Sequence, residues 1–190
     1  MNTRTFGKAA VIVVALVPAA ALLWDLYRDA LGANPIEEIT HRTGEWALRL
    51  LVVTLAVTPL RRLTGWNGLA PYRRIFGLLA FFYATLHFST FVVLDHFFDW
   101  QRIIADVGKR RYVTAGFAAF VLLVPLAITS TRGWVRRLGK RWARLHRLVY
   151  PAALLAVVHY YWLVKSDVRG PLAYGAVVAL LLAARLVRRR

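Results

Sequence analysis

Charged residues cut the chain into six uncharged, strongly apolar runs, at 9–24, 50–60, 75–94, 112–131, 148–164 and 171–184. Within them apolar residues follow one another without alternation, as in Val121-Leu122-Leu123-Val124, so the period of 2 that marks a strand is missing. A helix needs about 20 residues to cross a hydrocarbon core about 30 Å thick. The third and fourth runs reach that length unaided. The others reach it when flanking Trp, Tyr, Arg and Lys are counted, since these side chains sit at the interface or snorkel toward it. The pattern predicts an all-α polytopic membrane protein, a six-helix transmembrane bundle. Its helices fall at about 8–26, 43–61, 74–94, 112–130, 145–164 and 170–187, in a single domain over 1–190.

Two longer connections carry patterns of their own. Asn34-Pro35-Ile36-Glu37 is a helix-start signature: a cap, a proline at the first helical position and a glutamate at the third. With Ile36 and Ile39 it predicts a short helix lying on the membrane surface. Residues 95–111 set Phe97, Phe98, Trp100, Ile103 and Ile104 among charges, a second interfacial element. Arg4 and Lys8, followed by an apolar stretch and Ala19-Ala20-Ala21, also fit a cleavable secretory signal. The remaining topology is the same on either reading. No internal repeat stands out.

Composition agrees with a membrane protein. The chain is 59% hydrophobic with mean hydropathy +0.51, above the about 45–50% of soluble domains. Its net charge of +17 would read as a nucleic-acid footprint on a polar domain. Here the charges punctuate apolar runs instead, which argues against a nucleic-acid partner and for the lipid bilayer. The absence of cysteine excludes disulfides, thiolate-held iron–sulfur clusters, thiol catalysis and covalently attached c-type haem.

Charge also orients the bundle. With the N-terminus inside, one face carries Arg4, Lys8, Arg61, Arg62, Arg73, Arg74, Arg132, Arg136, Arg137, Lys140, Arg141, Arg144, Arg147, Arg185, Arg188, Arg189 and Arg190, seventeen of the 26 basic residues. All nine acids (Asp25, Asp29, Glu37, Glu38, Glu45, Asp95, Asp99, Asp106 and Asp167) fall at the other face. The positive-inside rule then places both termini in the cytoplasm.

Histidines carry the candidate chemistry. His87 lies 13 residues beyond Arg74, and His159 lies 12 beyond Arg147. At 1.5 Å per residue both imidazoles sit roughly 18–20 Å from the inner face, at matched depth on two helices. Ionisable groups inside a membrane usually face a bundle interior, a pathway or a cofactor. Two matched imidazoles suit the axial positions of a haem iron, and they equally suit a proton relay in a small proton-coupled transporter. Ala80, Ala84 and His87 share a helical face, as do Ala152, Leu155, Ala156 and His159. Such small residues leave room for a porphyrin, walled by Phe88, Phe91, Tyr160 and Trp162, or merely let helices approach. His146 sits at the inner interface, 13 residues before His159, which puts the two about 140° apart on an ideal helix. Pro151 between them can unwind that geometry. His41 and His96 read as solvated or interfacial.

Asn34 to Leu48 (NPIEEITHRTGEWAL), Arg73 to Phe88 (RRIFGLLAFFYATLHF), Pro125 to Ser130 (PLAITS), Leu138 to Tyr150 (LGKRWARLHRLVY) and His159 to Lys165 (HYYWLVK) together resemble the MsrQ family. These are haem-binding membrane subunits of a bacterial periplasmic methionine-sulfoxide reductase system, within the wider ferric-reductase-like transmembrane domain to which NADPH oxidases are related. The resemblance covers nearly the whole chain. It implies an inner-membrane protein that passes electrons through haem b to a periplasmic molybdopterin-containing methionine-sulfoxide reductase. The electrons would come from the quinone pool or a cytoplasmic flavin reductase. The resemblance maps haem axial ligands onto His87, His159 and His146, and it brings an FMN that no residue here places. Catalysis would then lie on the partner, with no catalytic residue in this chain. A stand-alone ferric or quinone reductase of the same fold is the nearest alternative. The wider superfamily pairs two histidines on each of two helices; here the position 13 residues before His87 is Arg74, which leaves a second haem open. No G-x-G occurs, so the expectation is a separate electron donor, docking on the basic loop 132–147.

Overall fold

The structure, a computed structural model, describes residues 3–186, and these are helical throughout apart from short connections. In order they are α1 (Thr3–Tyr27), α2 (Pro35–Thr64), α3 (Ala70–Ser89), α4 (Trp100–Lys109), α5 (Arg111–Ile128), α6 (Arg132–Leu138), α7 (Lys140–Leu145), α8 (Val149–Leu163) and α9 (Arg169–Leu186). Four of the described helical stretches are long and apolar enough to cross a membrane: Thr5–Tyr27, Pro35–Thr64, Asn67–Asp95 and Arg111–Ile128. Residue 187 of the expected sixth span and the basic residues Arg188, Arg189 and Arg190 lie outside the described residues.

The helix start at Asn34 holds in detail. The Asn34 side chain accepts from the Glu37 N–H and Pro35 opens the helix. The expected surface helix does not end before residue 43, which is a correction to the sequence reading: it continues into the membrane stretch as one 30-residue helix. Thr40 and Thr43, at the junction, donate their hydroxyls back to Ile36 O and Ile39 O, and the helix runs on through both. It ends at Gly65, whose φ of 71° takes the left-handed cap that favours glycine.

The expected fifth span over 145–164 is broken. A 3-10 turn covers His146–Leu148, and α8 proper has 15 residues. Pro151 supplies the cause, having no N–H to give to Arg147 O four residues back and a ring that crowds that carbonyl. The interfacial element in the 95–111 loop is α4, reached through successive left-handed residues Phe97 and Phe98 (φ 46° and 62°). Phe97, Phe98, Trp100 and Ile104 are exposed, while Ile103 is buried.

Packing pairs α2 with α3 and α5 with α8, and α9 closes against α8 and α2. Leu51 and Leu55 of α2, Ala80 and Tyr83 of α3, Leu123 of α5, Ala152 and Ala153 of α8 and Val178 of α9 form the shared core. Ala80 and Ala152 are almost wholly buried, at 1% and 0% exposure, so these alanines serve close helix approach. The first helix α1 is peripheral and presents Val13, Val14, Val17 and Leu23 outward. It is pinned by the Tyr83 hydroxyl, which donates to Ala15 O (2.7 Å) and accepts from Ala19 N–H (3.1 Å). Those are the two groups an uninterrupted helix would join to each other.

Both ends of the bundle are tied by the same helices. The third helix runs from Arg73 and Arg74 to His87, and α8 runs from Val149 to His159. The last helix returns, its Arg185 donating to Leu55 O and to Tyr150 Oη (2.9 Å) near the Arg73 end.

Candidate functional site

At the end of the bundle away from Arg61, Arg73 and Arg74, α3 and α8 bring His87 and His159 together. Their ring centroids are 5.9 Å apart with the planes at 75°. Each imidazole is held from behind in the same way. His87 Nδ1–H donates to Thr40 O on α2 (2.9 Å), and His159 Nδ1–H donates to Tyr112 O on α5 (2.7 Å). One proton on Nδ1 fixes the tautomer and leaves Nε2 of each ring with its lone pair, the arrangement in which a histidine is oriented to ligate a metal.

Each ring also rests on a glycine. A Cβ on Gly44 would stand 3.0 Å from His87 Nδ1, and one on Gly116 would stand 2.7 Å from His159 Nδ1. In both cases the glycine lies one helical turn after the carbonyl that holds the ring. Thr40 and His87 are 47 residues apart, as are Tyr112 and His159. The α2–α3 pair and the α5–α8 pair therefore correspond at an offset of 72 residues, Thr40 with Tyr112 and His87 with His159. The same register aligns Gly44 with Gly116, Ala47 with Ala119, Leu51 with Leu123, Ala80 with Ala152 and Ala84 with Ala156. This corrects the reading that the chain holds no internal repeat; the matched residues are spaced along two helices each, where a linear scan dilutes them among unlike lipid-facing positions.

The donor set fits an iron porphyrin. Metal–imidazole bonds of about 2.0–2.1 Å, as known for zinc, put the ring centroids of two opposed ligands ~6 Å apart, close to the separation seen. Among the described residues no group of three or more His, Cys, Asp or Glu could hold a metal ion. Two imidazoles would supply two ligands to a metal, and a macrocycle would bring the rest.

The residues expected to wall this site divide. Phe88 stacks on Phe120 (4.8 Å between centroids), and Phe91 meets His96 edge-on (4.5 Å). Tyr160 turns to Tyr174 and Gly170 on the α9 side, and Trp162 is half exposed. His96 is not a solvated residue: its Nε2 lies 3.3 Å from Asp106 Oδ2, with the side chain 13% exposed. His41 is exposed, as read from the sequence.

His146 is apart from this pair. It lines a cavity of about 360 Å³ at the opposite end, together with Arg61, Arg73, Arg74, Phe81 and Trp142. Its Nε2 lies 3.1 Å from Thr129 Oγ1, whose own proton goes to Pro125 O (2.6 Å). His146 Nε2–H is therefore the donor, and the Trp142 ring stacks on the imidazole at 3.9 Å. Sequence reasoning missed this cavity, although its arginines were in view as topology signals. It also missed the carbonyl and glycine seats of the two histidines, for which the recurrence of glycine 43 residues before each histidine was the available signal.

Residues 43–157 match the family described as "Ferric reductase like transmembrane component". The chain is 53% identical over 189 residues to the protein-methionine-sulfoxide reductase heme-binding subunit MsrQ of Xanthomonas campestris pv. campestris (strain 8004), covering 96% of this chain and 87% of the relative. It is 54% identical over 185 residues to the protein of the same description from Herminiimonas arsenicoxydans, covering 96% and 85%. No solved structure matches. The chain belongs to the MsrQ family.

Proposed function

We propose that this member of the MsrQ family is a haem b electron-transfer subunit in which His87 and His159 would hold the haem iron. The reading is carried by one observation: two imidazoles at ~6 Å, each with Nδ1 committed to a backbone carbonyl and Nε2 left free. When bound, the haem supplies reversible one-electron transfer at a fixed depth, with its potential set by axial ligands and burial. The chain's own part is orientation. Thr40 and Tyr112 fix the ring tautomers, and Gly44 and Gly116 let the rings lie against the neighbouring helices.

The bundle crosses the bacterial inner membrane six times as a single domain over 1–190, with both termini cytoplasmic. Support for the fifth and sixth crossings is geometric: α8 joins the inner cavity to the histidine pair, and α9 returns Arg185 to the inner end. Electrons enter from the quinone pool or a cytoplasmic flavin reductase at the basic face. They leave toward a periplasmic molybdopterin-containing methionine-sulfoxide reductase, on which the substrate chemistry takes place. An FMN is a further proposed cofactor. His146 remains the imidazole available to an inner haem, at the expense of its bond to Thr129.

The test is the oxidised and reduced absorption spectrum of the purified protein, with haem quantified per chain. A b-type spectrum lost in both His87→Ala and His159→Ala is expected. Colourless protein, or a spectrum that survives either change, overturns the reading and returns the pair to a proton-relay role. Faster delivery to ferric chelates than to the periplasmic reductase would instead favour a stand-alone ferric reductase.

A further inference from the structure

We propose that the two imidazoles of the histidine site play unequal parts: His87 is the permanent ligand, locked by Thr40 and Thr90, and His159 is the exchangeable one, which yields its place to a small neutral ligand. The inference rests on the haem reading given above and adds a division of labour to it. The 72-residue correspondence makes the two halves directly comparable, since it pairs His87 with His159 and Thr40 with Tyr112. Whatever differs between the halves is then a difference between the ligands.

The His87 side carries a clasp that the His159 side lacks. Thr90, buried and three residues after His87, donates its hydroxyl to His87 O (2.7 Å). It accepts in turn from the Thr40 hydroxyl (3.0 Å), whose proton is shared with Ile36 O. Thr40 is also the residue whose carbonyl holds His87 Nδ1, so ring, backbone and seat close into one loop of hydrogen bonds between α2 and α3. Thr90 is thus a positioning residue, acting through His87. The same register puts Trp162 in the place of Thr90. Trp162 is half exposed and has no hydroxyl to return to His159 O. The His159 ring is held by the Tyr112 carbonyl (2.7 Å) without that loop.

Position along the helices points the same way. His87 has helix on both sides, with a π-helical stretch, Thr90–Asp95, continuing beyond it. Its acceptor Thr40 lies inside a helix capped by Asn34. His159 stands about one turn before the end of α8, which stops at Leu163 and passes into extended backbone at Val164. Its acceptor Tyr112 is the second residue of α5, whose start has no side-chain cap. Helix ends carry unpaired backbone groups and open locally at lower cost than helix interiors. Opening the last turn of α8 withdraws His159, whereas withdrawing His87 requires breaking the clasp and a continuous helix together. The incoming ligand is neutral, because the vacated position lies inside the bilayer in the reading above, where an unpaired charge is costly.

Carbon monoxide is the probe, mixed with the reduced full chain in phosphatidylcholine nanodiscs, and the rate of adduct formation is read from the Soret band. The wild type is expected to form the adduct. Trp162→Thr, which restores a hydroxyl at the counterpart of Thr90, should slow it about threefold or more, the rate equivalent of one net hydrogen bond. Thr90→Val, which frees His87 as a second leaving ligand, should speed it by a similar factor, and Thr90→Ser should keep the wild-type rate. Hydrogen exchange in the same discs tests the helix-end argument without using the haem: residues 157–163 should exchange roughly tenfold faster than residues 84–90. Equal exchange in the two segments, a b-type haem that forms no adduct, or a Thr90→Val rate equal to wild type each overturns the inference. A rate that Trp162→Thr leaves unchanged while Thr90→Val raises it assigns the exchange to His87 and overturns it as well. Protein without any b-type spectrum sinks the haem reading itself, and this division of ligands with it.

Discussion

Gly116 lies beneath the imidazole of His159 so closely that a Cβ on it would stand 2.7 Å from Nδ1. The contact comes from opposite sides of one helix pair, so a methyl group there must push the ring, the helix or both. Gly116→Ala is expected to strip the His159 Nδ1–Tyr112 hydrogen bond and lower haem per chain, with an overpacking cost of about 1–3 kcal/mol. Gly44→Ala, where the approach is 3.0 Å, should act in the same direction and less strongly. Haem-to-protein ratio and thermal midpoint of the two purified variants measure this. A wild-type ratio in Gly116→Ala would mean that His159 is not seated on α5 when the site is loaded.

The Tyr83 hydroxyl is the inserted bridge in α1, and Tyr83→Phe removes it with little change of volume. Ala15 O and Ala19 N–H can then pair with each other, so neither group is orphaned. The expected destabilisation is that of one net hydrogen bond, about 0.5–1.5 kcal/mol. What should change more is attachment of α1, which has few buried residues of its own. Hydrogen exchange of residues 10–22 against residues 45–57 reads this directly: α1 should lose protection while α2 keeps it.

Arg185 joins three helices through one fork, α9 to Tyr150 on α8 and to Leu55 O on α2, with its guanidinium 5.2 Å from the Tyr150 ring. A lysine keeps the charge and cannot reproduce two directed bonds and a stacked plane. Arg185→Lys is expected to cost about 1.5–3 kcal/mol, the range for hydrogen bonds to charged groups. Tyr150→Phe should lose less, because the Leu55 contact survives. The two thermal midpoints, taken in the same detergent, rank the variants; equal midpoints would show that the Leu55 bond contributes nothing.

Much of this architecture is legible in the amino-acid sequence, and the parts that are not share a cause. Four long apolar helices, the cap at Asn34 and the approach of His87 to His159 follow from patterns that are local or additive along one helix. The break at His146–Leu148 follows from Pro151 acting on the preceding turn, a local effect whose position the ideal-helix angle did not give. Gly44, Gly116 and the carbonyls of Thr40 and Tyr112 act across helix pairs. Their importance depends on which helix faces which, and hydropathy carries no such information. The inner cavity is the extreme case. Its arginines fit an end-of-helix charge pattern whether or not they share a cavity, so the same residues satisfy two explanations until their shared lining is seen.

The fifth crossing is the least secured by length alone, since α8 has 15 residues and at 1.5 Å each spans roughly 22 Å against a core of about 30 Å. A short helix can still cross if the bilayer thins or flanking residues snorkel, and here Trp142, Tyr160, Tyr161 and Trp162 stand near its ends. The chain has no cysteine, so a single introduced thiol is the sole target for a membrane-impermeant maleimide. Exposed positions bracket the segment: Lys140 before it, Asp167 after it, with Thr64 and Arg28 as markers for the two faces. In intact spheroplasts Arg28→Cys and Asp167→Cys are expected to label. Thr64→Cys and Lys140→Cys should label only after permeabilisation. If Lys140→Cys and Asp167→Cys label from the same side, α8 enters and leaves through one face. His159 would then lose the matched depth that pairs it with His87, and the two-imidazole iron site would fall with it.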